Sequence, residues 1–342
     1  AVLAVARRYI DTPSRRNQGL RLLKYLSDRS PTDTDAYLAM ADGFHATREP
    51  ELVVGALQEA LRHADDTQIG EVVTRSQTLA KEYPRAGLSH NLLGRALQKA
   101  GRLDDAISEL KIAADLAPYS RAYAEDLAGG YSSRALARLA SGDTAGAHLD
   151  VSSAEAIVLT DPAVADATAR VDAERARGDI LSGRCSSALR KLGSAYHNAP
   201  DDTAFKWELS GLYLTVGARL EGKGDDALAL SSYTRAYDLD PTSATGRRKV
   251  AELSYAQGME AKTAKNYDRA ITLLEQANST YRITPSYRLE LADAYDLRGQ
   301  LNVNIGELDD ALDDFERGLE VNPTNTSLIA NYASAYQQRY GT

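Results

Sequence analysis

Residues 87–118 read GLSHNLLGRALQKAGRLDDAISELKIAADLAP, and two short helices joined by a tight turn are expected there. Leu93, Gly94 and Leu97 fall at the three- and four-residue spacings that share one face of a helix. Gly101 interrupts the pattern, because glycine reaches left-handed dihedrals cheaply at a helix C-terminus. Asp104 and Asp105 then open a second helix, where carboxylates favour the positive end of the backbone dipole. Along it Ala106, Ile107, Leu110 and Ala113 form an apolar stripe that ends before Pro118. Ala106 and Ala113 are small where two helices would cross, and larger side chains there would push the axes apart.

The same order of residues returns every 41 positions. Ala106, Ala147, Ala188, Ala229, Ala270 and Ala311 form a ladder, preceded by Gly101, Gly142, Gly183, Gly224, Lys265 and Gly306. Ala113, Ala154, Ala195, Ala236, Ala277 and Gly318 follow it, and a bulky site between holds Leu110, Val151, Leu192, Tyr233, Leu274 and Phe315. Self-similarity at a fixed period is the mark of a stacked-repeat architecture. A closing proline appears as Pro118, Pro200, Pro241 and Pro323. Leu159 and Arg282 replace it in two copies, and Pro162 and Pro285 come three residues later, so longer turns are expected there.

Glycine turn, alanine, bulky residue, alanine and proline in this order resemble the tetratricopeptide repeat. The resemblance covers residues 87–323 as six copies: 87–118, 119–159, 160–200, 201–241, 242–284 and 285–323. It implies an all-α fold, a right-handed superhelical solenoid of antiparallel helix pairs whose first helices line a concave face. Residues 1–86 are expected to hold degenerate helical repeats: a helix over 13–28, a pair over 33–64 with Tyr37, Ala41 and Phe44 then Leu57 and Ala60, and a helix over 67–83. Residues 324–342 read either as a terminal capping helix or as the first helix of a truncated repeat.

The family period is about 34 residues. Gly94 precedes Gly101 by 7 residues, whereas Ala128, Ala169, Ser210 and Ala292 precede their turn glycines by 14. An extra heptad is therefore expected in each later first helix, after its small packing residue. It adds roughly 10 Å of helix and, being nearly two turns, keeps the buried face inward. Combined with the resemblance, this implies a deeper trough from about residue 120 onward.

Composition narrows the class of activity. Lys and Arg total 40 against 48 Asp and Glu, a net charge of −8, which argues against a nucleic-acid surface. No run of apolar residues is long enough to insert in a membrane. The opening AVLAVARRYID is apolar and then basic, the reverse of a signal peptide, so no targeting segment is expected within these residues. Without an initiator Met, sequence upstream is expected, and the compartment stays open between cytoplasm and periplasm. Cys185 is the only cysteine and reads as a small buried hydrophobe.

No catalytic or metal-binding motif stands out. The histidines His45, His63, His90, His148 and His197 are scattered, and no phosphate loop, nucleophile elbow or HExxH is present. Asp309, Asp310, Asp313 and Asp314 lack the loop glycine of an EF-hand and suit the exposed start of a helix. No cofactor is expected. In the resemblance, the position after the small first-helix residue faces the groove, and here it holds Arg95, Gly129, Arg170, Gly211, Glu252, Asp293 and Ser334. Its charge runs from basic to acidic, which would orient a partner. Trp207 is the only tryptophan, and tyrosines outnumber phenylalanines 19 to 3. Tyr131, Tyr213, Tyr255, Tyr295 and Tyr336 are expected mostly to pack between helices, yet amphipathic aromatics are also the usual hot-spot chemistry.

The sequence thus points to a non-catalytic scaffold that binds a protein, peptide or helix through Arg95, Arg170, Trp207, Glu252, Tyr255 and Asp293. Two alternatives stand beside it: a periplasmic scaffold of a polysaccharide export machine, and the docking arm of a larger enzyme.

Overall fold

A computed structural model of the chain describes residues 2–158, 160–199 and 201–341. Leu159 and Pro200, which close two of the repeats, lie outside the described residues. Every regular element among the described residues is helical. In chain order these are α1 (Val2–Ile10), a short 3-10 turn (Pro13–Arg15), α2 (Arg16–Arg29), α3 (Thr34–Ala46), α4 (Pro50–His63), α5 (Ile69–Glu82), α6 (Gly87–Lys99) and α7 (Leu103–Leu116). They continue as α8 (Arg121–Ala140), α9 (Thr144–Ile157), α10 (Pro162–Leu181), α11 (Cys185–His197), α12 (Thr203–Glu221), α13 (Asp226–Leu239), α14 (Ala244–Thr263), α15 (Tyr267–Thr280), α16 (Pro285–Ile305), α17 (Leu308–Val321) and α18 (Thr326–Tyr340). The chain forms two compact units, 1–174 and 175–342, with the division inside α10.

In both units the ladder alanines hold the helices together. Ala106, Ala147, Ala188, Ala229, Ala270 and Ala311 are each 0% exposed, and the bulky residues that follow them are buried. The turn residues of all six copies adopt positive φ, from 73° to 86° at the glycines and 60° at Lys265. In the first unit, Leu110, Leu127, Tyr131, Ala154 and Val164 share one cluster. In the second, Phe315, Ala311, Ala292 and Leu328 share another. Helix starts follow local polar chemistry: the carboxylates of Asp143, Asp202 and Asp225 accept backbone N–H bonds from residues of the first turn. Pro162 and Pro285 open α10 and α16 rather than lengthening a turn. The connector 281–284 is no longer than 117–120 or 240–243, because proline's missing N–H costs nothing at a first helical position.

The lengthened first helices are present, but the added heptad sits elsewhere than the spacing suggested. α8, α10, α12, α14 and α16 are 20, 20, 19, 20 and 21 residues long, against 13 for α6. Their starts lie 41 apart, and α6 begins one heptad late in that register. Close packing identifies the equivalent small residue. A Cβ on Gly94 would fall 2.5 Å from Leu110, one on Gly217 2.9 Å from Tyr233, one on Gly258 2.9 Å from Leu274, and one on Gly299 2.5 Å from Phe315. Gly94 therefore matches Ala135, Ala176, Gly217, Gly258 and Gly299, each 7 residues before its turn. The added heptad precedes this residue at the N-terminal end of the helix. Ala128, Ala169 and Ala251 correspond instead to Gly87, where α6 starts.

The new heptad builds its own buried layer. Val164, Phe205 and Tyr287 occupy equivalent places in it and are 2%, 2% and 7% exposed. Tyr287 stacks 4.8 Å from Tyr255 of α14, which ties one lengthened helix to the next. In the terminal copy, Tyr340 takes the small-residue position and stacks 4.7 Å from Tyr336.

Candidate docking face on the first helices

Polar side chains bridge successive first helices within each unit. In the first, Asn91 donates to Asp126 at 2.8 Å, and Gln98 donates to Ser133 Oγ at 2.8 Å and to the Gly129 carbonyl at 3.2 Å. In the second, Arg177 pairs with Glu208 at 2.5 Å and Lys249 with Glu221 at 2.7 Å. Lys262 reaches Asp293 at 2.6 Å and also Glu290. Burial alone favours the neutral amine of Lys262, yet these two carboxylates outweigh it and its pKa lies above the ordinary lysine value. The Lys249 ammonium, followed by the Tyr233 hydroxyl, holds Glu221 below the usual carboxylate range.

In the second unit the face carries two rows. One contains Gly211, Glu252 and Asp293; the added heptad contributes the other four residues earlier, with Trp207, Arg248 and Leu289. Arg170 and Asp166 hold the same two places of the repeat in the first unit. Positions four apart lie on one side of a helix, as the Arg170–Asp166 pair at 2.8 Å and the Arg248–Glu252 pair at 3.8 Å illustrate. Trp207 is 56% exposed, and next to it Gly211 leaves bare helix with nothing within 4 Å of where its Cβ would stand. Tyr255 is half-buried in packing against Tyr287 and Ala277. Asp293 is held by Lys262.

Arg95 belongs to a different row. It follows Gly94, so its equivalents are Leu136, Arg177, Ala218, Met259 and Gln300, one heptad further along the helix than Arg170. The single basic-to-acidic gradient read from the sequence therefore joins two separate rows. Arg95 borders a hollow of about 630 Å³ on α4, α6 and α8, together with Arg62, Lys99, Gln98, Gln58 and Ser133. Sequence reasoning missed Arg62 and Lys99. Arg62 lies in an irregular N-terminal helix, and Lys99 lies beside the turn, where a lysine reads only as a partner for the helix dipole.

A larger cleft of about 710 Å³ in the second unit is lined by Arg298, Arg317, Asp268, Asp310 and Asp314 among others. Arg298 there is matched internally, reaching Asp268 at 2.6 Å and buried Asp314 at 2.5 Å. Among the described residues no group of three or more His, Cys, Asp or Glu could hold a metal ion. No helix of the described residues is long and apolar enough to cross a membrane.

Residues 292–325 match the family model of the tetratricopeptide repeat. The matched stretch starts at Ala292 and leaves out residues 285–291, the added heptad. No curated protein matches the chain. Among solved structures, the TPR domain of P58(IPK) is 17% identical, with 100% of this chain and 99% of that one covered at a TM-score of 0.28. A thermophilic TPR protein of Thermus thermophilus is 24% identical over 61% and 98%, with a TM-score of 0.24. PilF of Pseudomonas aeruginosa is 16% identical over 74% and 99%, with a TM-score of 0.25. These superpositions are loose.

Proposed function

We infer that this chain of tetratricopeptide repeats is a protein-interaction scaffold that docks a partner segment on the exposed face of its first helices. The observation that carries this reading is Trp207. A large aromatic side chain stands exposed in the added heptad beside the bare helix at Gly211. Water gains nothing from an indole left outside, whereas a partner side chain seated against Gly211 would bury both surfaces. Leu289, 50% exposed in the equivalent place on α16, adds a second apolar anchor in the same unit. The charged residues around them, Arg248, Glu252 and Asp293, supply a polar rim that fixes orientation and excludes wrong partners.

The test places a photoreactive side chain at Trp207 or Glu252 on the first helices and at Arg190 or Leu149 on the second helices. Cross-linking of one partner from the first-helix positions alone supports the reading; cross-linking confined to the second-helix positions overturns it. Truncating Trp207 and Arg170 should weaken capture while leaving the helical signal intact.

A further inference from the structure

We propose that His90, Glu109 and the Pro84 carbonyl form a proton-operated clasp, which ties the α5–α6 connector and α7 to the first turn of α6 in mild acid and loosens as the pH rises past neutral. The clasp is independent of what the first-helix face binds. His90 Nδ1 lies 2.6 Å from Glu109 Oε2, and Nε2 lies 3.1 Å from the Pro84 carbonyl oxygen. Both partners are acceptors. A neutral imidazole donates from one nitrogen only, so either tautomer turns a lone pair toward an oxygen. The arrangement is satisfied when one further proton is held between the ring and the Glu109 carboxylate.

The repeat register shows what sets this copy apart. The place of Glu109 on the second helix is taken by Asp150, Lys191 and Asp314 in other copies. Each of these pairs with a first helix: Asp150 with Arg134 at 2.7 Å, Asp314 with Arg298 at 2.5 Å, and Lys191 with Asp179. The bases there are arginine and lysine, which stay charged throughout the neutral range, so those pairs do not switch. The copy of α6 and α7 uses His90 instead. Histidine is the side chain whose ordinary charge change falls between about pH 5 and 8.

Burial gives the proton its leverage. His90 is 8% exposed, so water is poorly placed to replace a partner that the ring loses. The neighbouring Ser89 hydroxyl faces the Ala86 and Tyr83 carbonyls at 2.7 Å and 3.1 Å, and that contact carries no charge. The connector is thus held by one constant residue and one that changes with pH. α4, α5, α7 and α8 pack against α6. Among the described residues, Glu109 is the ionisable side chain within reach of His90. The acids of the other elements are engaged elsewhere: Glu59 of α4 with Arg62, Glu82 of α5 with His45, and Asp126 of α8 with Asn91 and Arg95. On α7, Asp104 and Asp105 face Arg134 and Arg102, and Lys111 lies over the Tyr131 ring. Arg75 of α5 is taken by Asp42 and Glu71.

The experiment follows hydrogen exchange of the full chain at about pH 6 and about pH 8, on either side of the ordinary histidine transition. Exchange is corrected for the intrinsic effect of pH and normalised to peptides of α13. Protection of peptides spanning residues 83–92 should fall about tenfold between the two conditions, the weight of roughly one hydrogen bond to a charged group. Glu109→Gln should abolish the fall. Its amide N–H donates to a neutral Nδ1 while the Nε2–H donates to Pro84, so the clasp closes without the extra proton. Glu82→Gln, at the exposed pair with His45, should leave the fall in place. His90→Gln removes the titrating ring and should give equal protection at both pH values. Should a variant unfold, the ring nitrogen shifts of wild-type His90 serve instead, and they should change in step with the loss of protection. Wild-type protection that is equal at both pH values overturns the proposal. So does a fall that survives either Glu109→Gln or His90→Gln, or ring shifts that move while protection stays constant.

Discussion

Asp179 of α10 and Lys191 of α11 form an ion pair in which the signs of the preceding repeat are exchanged. Their equivalents 41 residues earlier are Arg138 and Asp150, which pair at 2.9 Å. Both carboxylates are buried, at 4% and 2% exposure. The same two places become Leu220 with Ser232, and Ala261 with Leu273, in the following copies. In these two copies the buried carboxylate is matched by a base across the two helices of the repeat, and which helix carries which charge is free to vary.

That freedom is testable by exchange. Lys191→Asp alone should cost about 2–3 kcal/mol, since it leaves two carboxylates side by side at a largely buried place. Asp179→Arg combined with Lys191→Asp rebuilds the arrangement of Arg138 and Asp150 and should recover most of the loss. Urea midpoints at neutral pH measure both; a double variant no better than the sum of the single ones would show that the pairing is irrelevant.

Asp179 also sets a pH dependence. Hydrogen bonds from Lys191, then Ser187, then Arg184 hold its pKa well below the ordinary aspartate value. A lowered folded pKa means stability that is fully present above the unfolded pKa near 4 and is lost as pH falls through the folded value. The curve of Asp179→Asn, less stable at pH 7, should therefore begin to converge on wild type as pH falls below about 4 and continue to do so toward the folded value. Curves that stay parallel at low pH would contradict this assignment.

Lys265 occupies the one turn of the six without glycine, at φ 60°. Left-handed backbone costs a residue with a Cβ roughly 1–2 kcal/mol, part of which glycine's own flexibility takes back. Lys265→Gly should accordingly stabilise the chain by about 0.5–1 kcal/mol, read from thermal or urea midpoints. A destabilised variant would mean that the lysine side chain contributes more than the strain removes.

The small residue before the turn is glycine where it faces the aromatic Tyr233 and Phe315 and alanine in the copy with Val151, while leucine stands with either. Glycine faces Leu110, Tyr233, Leu274 and Phe315, whereas the alanines 135 and 176 stand in the copies with Val151 and Leu192. A Cβ on Gly299 would meet Phe315 Cε1 at 2.5 Å, so Gly299→Ala should overpack the crossing by about 1–3 kcal/mol. Phe315→Val alone should cost more, through lost burial. Together they reproduce the Ala135 and Val151 pair, and the double variant should be less damaged than the two single costs combined. Simple additivity in the urea midpoints would refute size matching at this crossing.

Burial protects a defined subset of the 19 tyrosines from ionisation. Burial raises Tyr213 to about 12, and burial with a bond to Glu275 does the same for Tyr295. For a raised folded pKa, stability is intact below the unfolded value near 10 and is lost as pH climbs toward 12. Tyrosinate absorbance should therefore rise in two phases, the second coinciding with loss of helical signal. A single phase complete before unfolding would rule this out.

The repeat itself was legible because the ladder alanines and turn glycines face constraints that admit few residues: a close helix crossing and a left-handed turn. The position of the added heptad was not. Ala128 and Gly94 are both small and buried, and spacing alone could not tell which one faces the bulky side chain; the approach of Gly94 to Leu110 decides it. The same ambiguity placed Arg95 in the row of Arg170 and Glu252. Arg62 and Lys99 were missed because the hollow is assembled from helices of unequal regularity, and convergence in space leaves no mark in a periodic pattern.

The copy built on α10 should be the first interior repeat to open. Its buried residues include Ala167, Ala169, Ala173 and Ala176, whereas α12 buries Phe205, Leu209, Leu212 and Tyr213, and α16 buries Tyr287, Leu291 and Tyr295. Each buried methylene contributes about 0.8 kcal/mol, so an alanine-rich interface holds far less apolar stabilisation than an aromatic one. In a repeat array such local interfaces nearly sum, and the weakest sets the lowest opening energy. The charged pairs of α10, including buried Asp179 with Lys191, offset only part of this because burying them carries its own desolvation cost. Hydrogen-exchange mass spectrometry should show peptides from residues 162–181 exchanging faster than those from α8, α12, α14 or α16. Faster exchange in α14 or α16 would mean that charge pairing, rather than apolar contact, sets local stability in this array.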